Sequence, residues 1–229
     1  MNIEIIAFDA DDTLWDNEPL FQSIEKELCT MLTEYGDMEH ISSTLFDIEM
    51  NNLELYGYGA KAFTLSMIET ALRVSGNKIS ADKIALIIEK GKYLLNMPIQ
   101  LLHGVEEALS SFSKKYKLVV ATKGDLLDQE RKLVRSGLAK YFDHVEIMPD
   151  KTEKEYRKLV SALNTQPENI LMVGNSLKSD IYPPLSIGMY AAYVPYHTMW
   201  KHEVADENIV NDKFYKVESL SSLSSLIIR

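Results

Sequence analysis

Five short apolar runs, separated by stretches of helical periodicity, constrain this chain most. Ile3-Glu4-Ile5-Ile6-Ala7-Phe8, Leu118-Val119-Val120-Ala121, Asn169-Ile170-Leu171-Met172-Val173 and Met189-Tyr190-Ala191-Ala192-Tyr193-Val194 are nearly continuous in hydrophobicity. His144-Val145-Glu146-Ile147-Met148 is a weaker fifth. Runs of this length and character suit strands of a parallel sheet that is covered on both faces. Between them, Val105, Leu109 and Phe112 recur at helical spacing, as do Tyr156, Leu159, Val160 and Leu163, and more loosely Leu126, Leu133 and Leu138. Strands alternating with helices require right-handed crossovers, so the expectation is an α/β chain with a doubly wound, mainly parallel sheet.

One interval breaks the alternation. From Asn17 to Gln100 the pattern is helical throughout, around Leu20–Leu32, Ile41–Leu55, Ala60–Val74 and Ala81–Leu95, with Gly57, Gly59, Gly76-Asn77 and Pro98 as punctuation. The predicted organisation is therefore a core made of residues 1–16 and 101–229, with residues 17–100 as an all-helical insert. From Asp16 to Ala60 the chain carries ten acids and one base, Lys26, which reads as a solvated outer face. Near the end, Ser219–Ser225 has helical spacing at Leu220, Leu223 and Leu226/Ile227.

Composition narrows the classes of function. With Lys+Arg 24 against Asp+Glu 34, the formal charge is −10, a poor basis for sequence-independent nucleic-acid binding. Lys114-Lys115-Tyr116-Lys117 is short enough to be a solvated helix end. Cys29 stands alone, so no internal disulfide can form. No leader is expected, since the opening residues show no cationic region followed by an apolar stretch, and the longest apolar run, Met189–Tyr196, falls far short of the ~20 residues of a membrane helix. A cytoplasmic protein with no membrane or nucleic-acid partner is expected; oligomeric state is not legible.

The chemistry concentrates at strand ends. Phe8-Asp9-Ala10-Asp11-Asp12-Thr13-Leu14 closes the first strand. Asp9 and Asp11 are two apart, so an extended backbone turns both carboxylates the same way, and open α/β sheets bind ligands at the carboxyl ends of their strands. Three acids in four residues repel one another unless a cation compensates them, and Mg²⁺ favours such hard oxygens. Thr122, followed by Lys123-Gly124, ends the second run, where a hydroxyl and free backbone N–H groups can hold phosphate oxygens. Lys151 follows Met148-Pro149-Asp150, and Gly174-Asn175-Ser176-Leu177-Lys178-Ser179-Asp180 follows the Asn169–Val173 run. All four groups fall at one edge of one predicted sheet. By contrast, the segment His197–His202, with Trp200 between and Glu203 after, reads as a packed loop.

Together these motifs resemble the haloacid dehalogenase-like hydrolase superfamily over nearly the whole chain. Asp9, Asp11 and Thr13 match its first motif, Thr122 the second, Lys151 the third and Gly174 to Asp180 the fourth, while the helical insert occupies the position of the family's cap. Lys154 competes with Lys151, but Lys151 lies 23 residues before Gly174, closer to the family spacing, and at a helix start rather than within it. One departure stands out. Asn175 replaces the usual Asp, so weaker metal binding is expected, with Asp9 and Asp180 carrying the ionic share. Asp12, where relatives often have Gly, is expected to shape the turn or cap a helix.

What the resemblance implies is a Mg²⁺-dependent phosphomonoester hydrolase of a small phosphorylated metabolite. Asp9 would be the nucleophile and Asp11 the general acid and base. Thr122, Lys123, Gly124 and Lys151 would contact the phosphoryl group. Asp9, Asp11, Asn175 and Asp180 would hold the metal, and the cap would select the leaving group. A phosphomutase of the same superfamily and a non-catalytic binding module that keeps the fold remain alternatives.

Overall fold

The computed structural model describes residues 2–227, with side chains described as far as residue 223. Among the described residues six parallel strands form a single sheet: β1 (Ile5–Phe8), β2 (Lys117–Lys123), β3 (His144–Met148), β4 (Ile170–Gly174), β5 (Tyr190–Tyr193) and β6 (Phe214–Lys216), in the order β3-β2-β1-β4-β5-β6. Every strand expected from the sequence is present. The edge strand β6 was not expected, because three residues are too few to show a pattern. Helices α1 (Glu18–Met31), α2 (Met38–Tyr56), α3 (Ala60–Val74) and α4 (Ala81–Asn96) lie between β1 and β2 in sequence. Then follow α5 (Val105–Phe112), α6 (Leu126–Arg135), α7 (Glu153–Ala162), the single turn α8 (Tyr182–Ser186) and α9 (Leu220–Ile227). The predicted α/β class with a parallel sheet and a helical insert is what the structure has.

The near-continuous hydrophobicity of the strands follows from burial on both sheet faces. Ile6, Phe8, Leu118, Val120, Leu171 and Val173 pack on one face with Val105, Leu109 and Phe112 of α5. Ile5, Ala7, Val119, Ala121, Ile170 and Met172 pack on the other with Tyr156 and Leu159 of α7. β1 is central, with Phe8 in register with Val120 on β2 and Val173 on β4. The chain winds outward from β1 through β2 and β3, then crosses back to β4. Hence the carboxyl ends of β1, β2 and β4 meet where the strand order reverses, the place where open α/β sheets hold their ligands. Of the Ser/Leu-rich tail, Leu220 and Leu223 are buried as their spacing predicts; the side chains of Leu226 and Ile227 lie outside the described residues.

The chain divides into two compact units, one of residues 1–18, 99–123 and 129–229, the other of residues 19–98 and 124–128. The second packs Ile24, Leu28, Leu32, Ile41, Leu45, Phe63, Met67, Ile87 and Leu94 into its own apolar core, which also encloses the lone Cys29. Asp37 caps α2 by accepting the His40 N–H at 2.8 Å, and Ser80 caps α4 by accepting that of Lys83 at 3.3 Å. Gly91 lets α3 and α4 approach closely: a Cβ there would stand 2.0 Å from Thr64 Oγ1. Among the described residues no helix is long and apolar enough to cross a membrane.

Candidate active site

At the mouth of β1, Asp9 is buried and its Oδ1 accepts a hydrogen bond from Lys151 Nζ. The same ammonium donates to Asp180 Oδ1 at 2.6 Å. Lys151 follows β3 and is buried, whereas Lys154 is exposed on α7. One cation between two buried carboxylates leaves a negative surplus. Burial pushes the Asp9 carboxyl up to about 7, with Lys151 pulling down and Asp180 pushing up. For Lys151 burial works to lower the pKa, but Asp180 and Asp9 more than offset it and hold the ammonium above its usual range.

Asp180 is locked from its other side as well. Its Oδ2 accepts the Ser176 N–H at 3.0 Å, and a Cβ on Gly174 would stand 2.3 Å from that carboxylate. Glycine is therefore required at the end of β4 so that Asp180, on the π-helical turn Leu177–Ile181, can fold back over it. Tyr156 of α7 fastens the same turn by donating its hydroxyl to the Ser179 carbonyl at 3.0 Å.

Asn175 lies over the first motif. The outer end of its amide stands 3.2 Å from Asp9 Oδ2, 3.3 Å from the Asp11 carbonyl oxygen and 3.1 Å from Thr13 Oγ1. With the amide nitrogen at that end, the network satisfies itself by hydrogen bonds; with the amide oxygen there, hard oxygens converge. Cis ligands of Mg²⁺, each about 2.1 Å from the ion, are about 3 Å apart, which matches these separations. Among the described residues no group of three or more His, Cys, Asp and Glu side chains could hold a metal. What fits instead is a mixed set of carboxylate, main-chain carbonyl and amide, beside a pair whose charge is one short of neutral. Asp180 faces Lys151 and Ser176 rather than this set.

Asp12 has the left-handed backbone conformation, φ 60°, that explains why glycine serves at such a turn. Its buried carboxylate accepts the N–H groups of Asn17 at 2.8 Å and Glu18 at 3.0 Å, which caps α1. Burial foremost, then the neighbouring Asp11, pushes its pKa up to about 8.

On β2, Thr122 is buried and its Oγ1 accepts from Gln129 Nε2 at 2.8 Å. Gly124 follows the strand at φ 146°, a conformation that side-chain-bearing residues avoid. The Lys123 side chain is turned to other work: Nζ donates to Ser179 Oγ at 2.9 Å and pairs with Glu203. Burial works to raise the pKa of Glu203, yet Lys123 and the hydroxyls of Ser176 and Ser179 bring it down to about 2. The segment read as a packed loop thus ends in a buried carboxylate that ties β2 to the loop carrying Asn175 and Asp180. No local sequence signal distinguished Glu203 from any surface acid.

Two further residues went unread. Gln129 and Lys132 of α6 are buried and face Asp11. The Leu126/Leu133/Leu138 spacing did not reveal them, since Leu126 is 61% exposed and Leu138 lies beyond the helix. The usable signal is a polar pair at i and i+3, beside the buried Leu133, in the helix that leaves Thr122.

Acids at the end of the central strand, a hydroxyl on the next strand and a lysine bridging two aspartates thus lie together at one edge of the sheet, in the order in which the motifs of a haloacid dehalogenase-like hydrolase were expected. The chain belongs to that family, whose model matches residues 3–183. A haloacid dehalogenase-like family hydrolase from Xanthomonas campestris has a crystal structure that superposes with a TM-score of 0.89 at 34% identity, over 99% of this chain and 91% of that one. A glyceraldehyde 3-phosphate phosphatase from Pyrococcus furiosus is 28% identical over 85% of this chain and 81% of its own length. The 5-amino-6-(5-phospho-D-ribitylamino)uracil phosphatase YigB of Escherichia coli is 25% identical over 98% of this chain and 96% of its own.

Proposed function

We propose that this protein is a Mg²⁺-dependent phosphomonoester hydrolase, acting on a small phosphorylated metabolite through an aspartyl-phosphate on Asp9. The observation that carries this reading is the bridge from Asp9 through Lys151 to Asp180, buried at the end of β1 with Thr122 on the adjacent strand. The two named relatives, phosphatases of small phosphorylated compounds, support the substrate class.

The steps follow from the residues. An Asp9 carboxylate oxygen attacks phosphorus in line, forming an O–P bond as the bond from phosphorus to the ester oxygen breaks. Asp11, in its protonated form, transfers that proton to the departing oxygen, and the product leaves as an alcohol. Asp11, now a carboxylate, takes a proton from water as the water oxygen attacks phosphorus; the bond to Asp9 breaks, phosphate leaves and both groups are restored. Lys151 and the Thr122 hydroxyl hold phosphoryl oxygens as charge shifts among them. Mg²⁺ held by Asp9, the Asp11 carbonyl and Asn175 would supply the positive charge that lets two anions approach. Asp180 acts one step back, by fixing Lys151.

The deciding experiment measures phosphate release from glyceraldehyde 3-phosphate and p-nitrophenyl phosphate, with Mg²⁺ and with EDTA. Metal-dependent release, lost in a folded Asp9→Asn variant, is expected. Undiminished turnover in that variant would remove Asp9 as nucleophile. An isomerised phosphate ester in place of free phosphate would favour the mutase, and no turnover at all the binding module.

A further inference from the structure

The Asp11 carboxylate is gripped unequally. Its Oδ1 accepts from Trp15 Nε1 at 2.8 Å and from Lys132 Nζ at 2.9 Å. Its Oδ2 accepts from Gln129 Nε2 at the longer distance of 3.2 Å, and that nitrogen also faces Thr122 Oγ1 at 2.8 Å and the Lys123 carbonyl at 3.2 Å. An amide NH₂ has two hydrogens for these three acceptors, so the donor that reaches Asp11 Oδ2 is shared. Lys132 is itself set by Asn17 Oδ1 at 2.8 Å. The exposures differ too: the Lys132 side chain is 4% exposed and that of Asp11 25%. A buried ammonium therefore holds a carboxylate that is itself a quarter exposed.

We propose that Lys132 and Gln129 are positioning residues for proton transfer by Asp11. Lys132, with Trp15, clamps Oδ1 and leaves Oδ2 as the oxygen that gives and receives the proton. Protonating Oδ1 would set its O–H against the N–H groups of Lys132 and Trp15, whereas a hydroxyl at Oδ2 meets one weak, shared donor. Gln129 ties that working oxygen to Thr122, so proton donor and phosphate holder keep a common register. This inference rests on the phosphatase reading for its consequence, though not for its geometry. Burial is costly for a lysine unless its partner repays it, and an apolar side chain would serve stability alone at least as well.

The test compares two leaving groups. An alkoxide needs a proton as it departs and p-nitrophenolate does not, and kcat/KM reports the steps through departure. For Lys132→Met we expect kcat/KM for glycerol 2-phosphate to fall roughly 100-fold, in the usual range for misplaced acid catalysis. The value for p-nitrophenyl phosphate should fall at least ten times less. Combined with Asp11→Asn, the loss should not exceed that of Asp11→Asn alone, since residues acting as one unit are not additive. Gln129→Leu, which leaves the ion pair in place, should skew the two esters in the same direction by less.

A second readout needs no turnover. The chain has 2 Trp, so its indole N–H resonances are separable once Trp200→Phe assigns them. Lys132→Met should shift the Trp15 indole N–H resonance in the direction that Asp11→Asn does, and Gln129→Leu should leave it in place. Equal losses on both esters in folded variants, additive losses in the double variant, or an unmoved Trp15 resonance in Lys132→Met would overturn the proposal. If wild type hydrolyses neither ester, the phosphatase reading falls, and the Trp15 resonance still decides whether Lys132 clamps Asp11.

Discussion

The two compact units bury polar groups in different ways. In the helical stretch 19–98, the buried polar side chains among the described residues are Ser66, Thr70 and Ser75. Thr70 donates to the Ser66 carbonyl at 2.7 Å and Ser75 to that of Leu72 at 3.2 Å, both within their own turn, while Ser66 Oγ accepts from Asn52 Nδ2 at 3.2 Å. The α/β unit buries Asp9, Asp12, Lys132, Lys151, Asp180 and Glu203, all at the carboxyl edge of its sheet or in the loops and helix around it. A hydroxyl that bonds its own helix costs little to bury, whereas an ion costs several kcal/mol before its partner repays it. Among the described side chains, buried charge gathers around the carboxyl edge of the sheet and is missing from 19–98, while the short segment 124–128 that completes the second unit buries Asp128. The same contrast predicts that equal acts of truncation have unequal effects in the two units.

The largest effect is expected at Lys151. Lys151→Ala leaves Asp9 and Asp180 facing one another without their shared cation, and removing one partner of a buried pair costs about 3–5 kcal/mol. Denaturant unfolding should show that loss, together with abolished turnover. A variant as stable as wild type would mean that the pair is not buried as described. Glu203→Gln comes next and carries a pH signature. Because its folded pKa, about 2, lies below the usual 4.5, the carboxylate stabilises the fold above pH 4.5. That contribution fades as the pH falls through the folded value. The shift corresponds to about 3 kcal/mol at neutral pH. The stability gap between wild type and variant should therefore be widest near pH 7 and close towards pH 2, and a gap that does not narrow in acid would contradict the assignment.

How much of this was legible beforehand follows the same division. Strands β1 to β5 and the four long helices could be read because burial on both sheet faces, or on one helix face, writes hydrophobic periodicity into the chain. The first motif was legible because acids packed so closely in sequence demand compensation. Gln129, Lys132 and Glu203 were not, because inward-facing polar residues break the periodicity on which such reading depends. α6 shows this plainly: Gln129 and Lys132 occupy inward positions where the pattern would place apolar residues, while Leu126 points outward. Their partners are remote in sequence, Lys132 being 121 residues from Asp11 and Glu203 80 from Lys123. The ion pair of the Lys123 side chain was illegible for the related reason that its counter-charge, Glu203, lies in a segment with no motif of its own.

A smaller effect is expected at Asn175. Without metal, its amide can donate towards Asp9 and the Asp11 carbonyl, which a carboxylate cannot do. Asn175→Asp should thus lower the melting temperature of the metal-free protein, by an amount equivalent to about 1–3 kcal/mol. It should also enlarge the rise in melting temperature on adding Mg²⁺, since a second anionic ligand binds the ion more strongly. Equal responses to Mg²⁺ in the two proteins would show that residue 175 does not meet the ion.

The smallest effect is expected in the helical unit, and it tests the contrast from the other side. Thr70 is fully buried, yet the Ser66 carbonyl it bonds stays paired with a helix N–H when the hydroxyl is gone, so Thr70→Val leaves no polar group stranded. The methyl that takes the hydroxyl's place adds apolar surface to a helix whose Met67 and Ala71 already belong to the unit's apolar core. A cost below about 1 kcal/mol is expected, the ordinary net worth of one hydrogen bond, and it should not change with pH. Loss on the scale of Lys151→Ala would mean that burial alone, and not the charge of what is buried, sets the cost of truncation in this molecule.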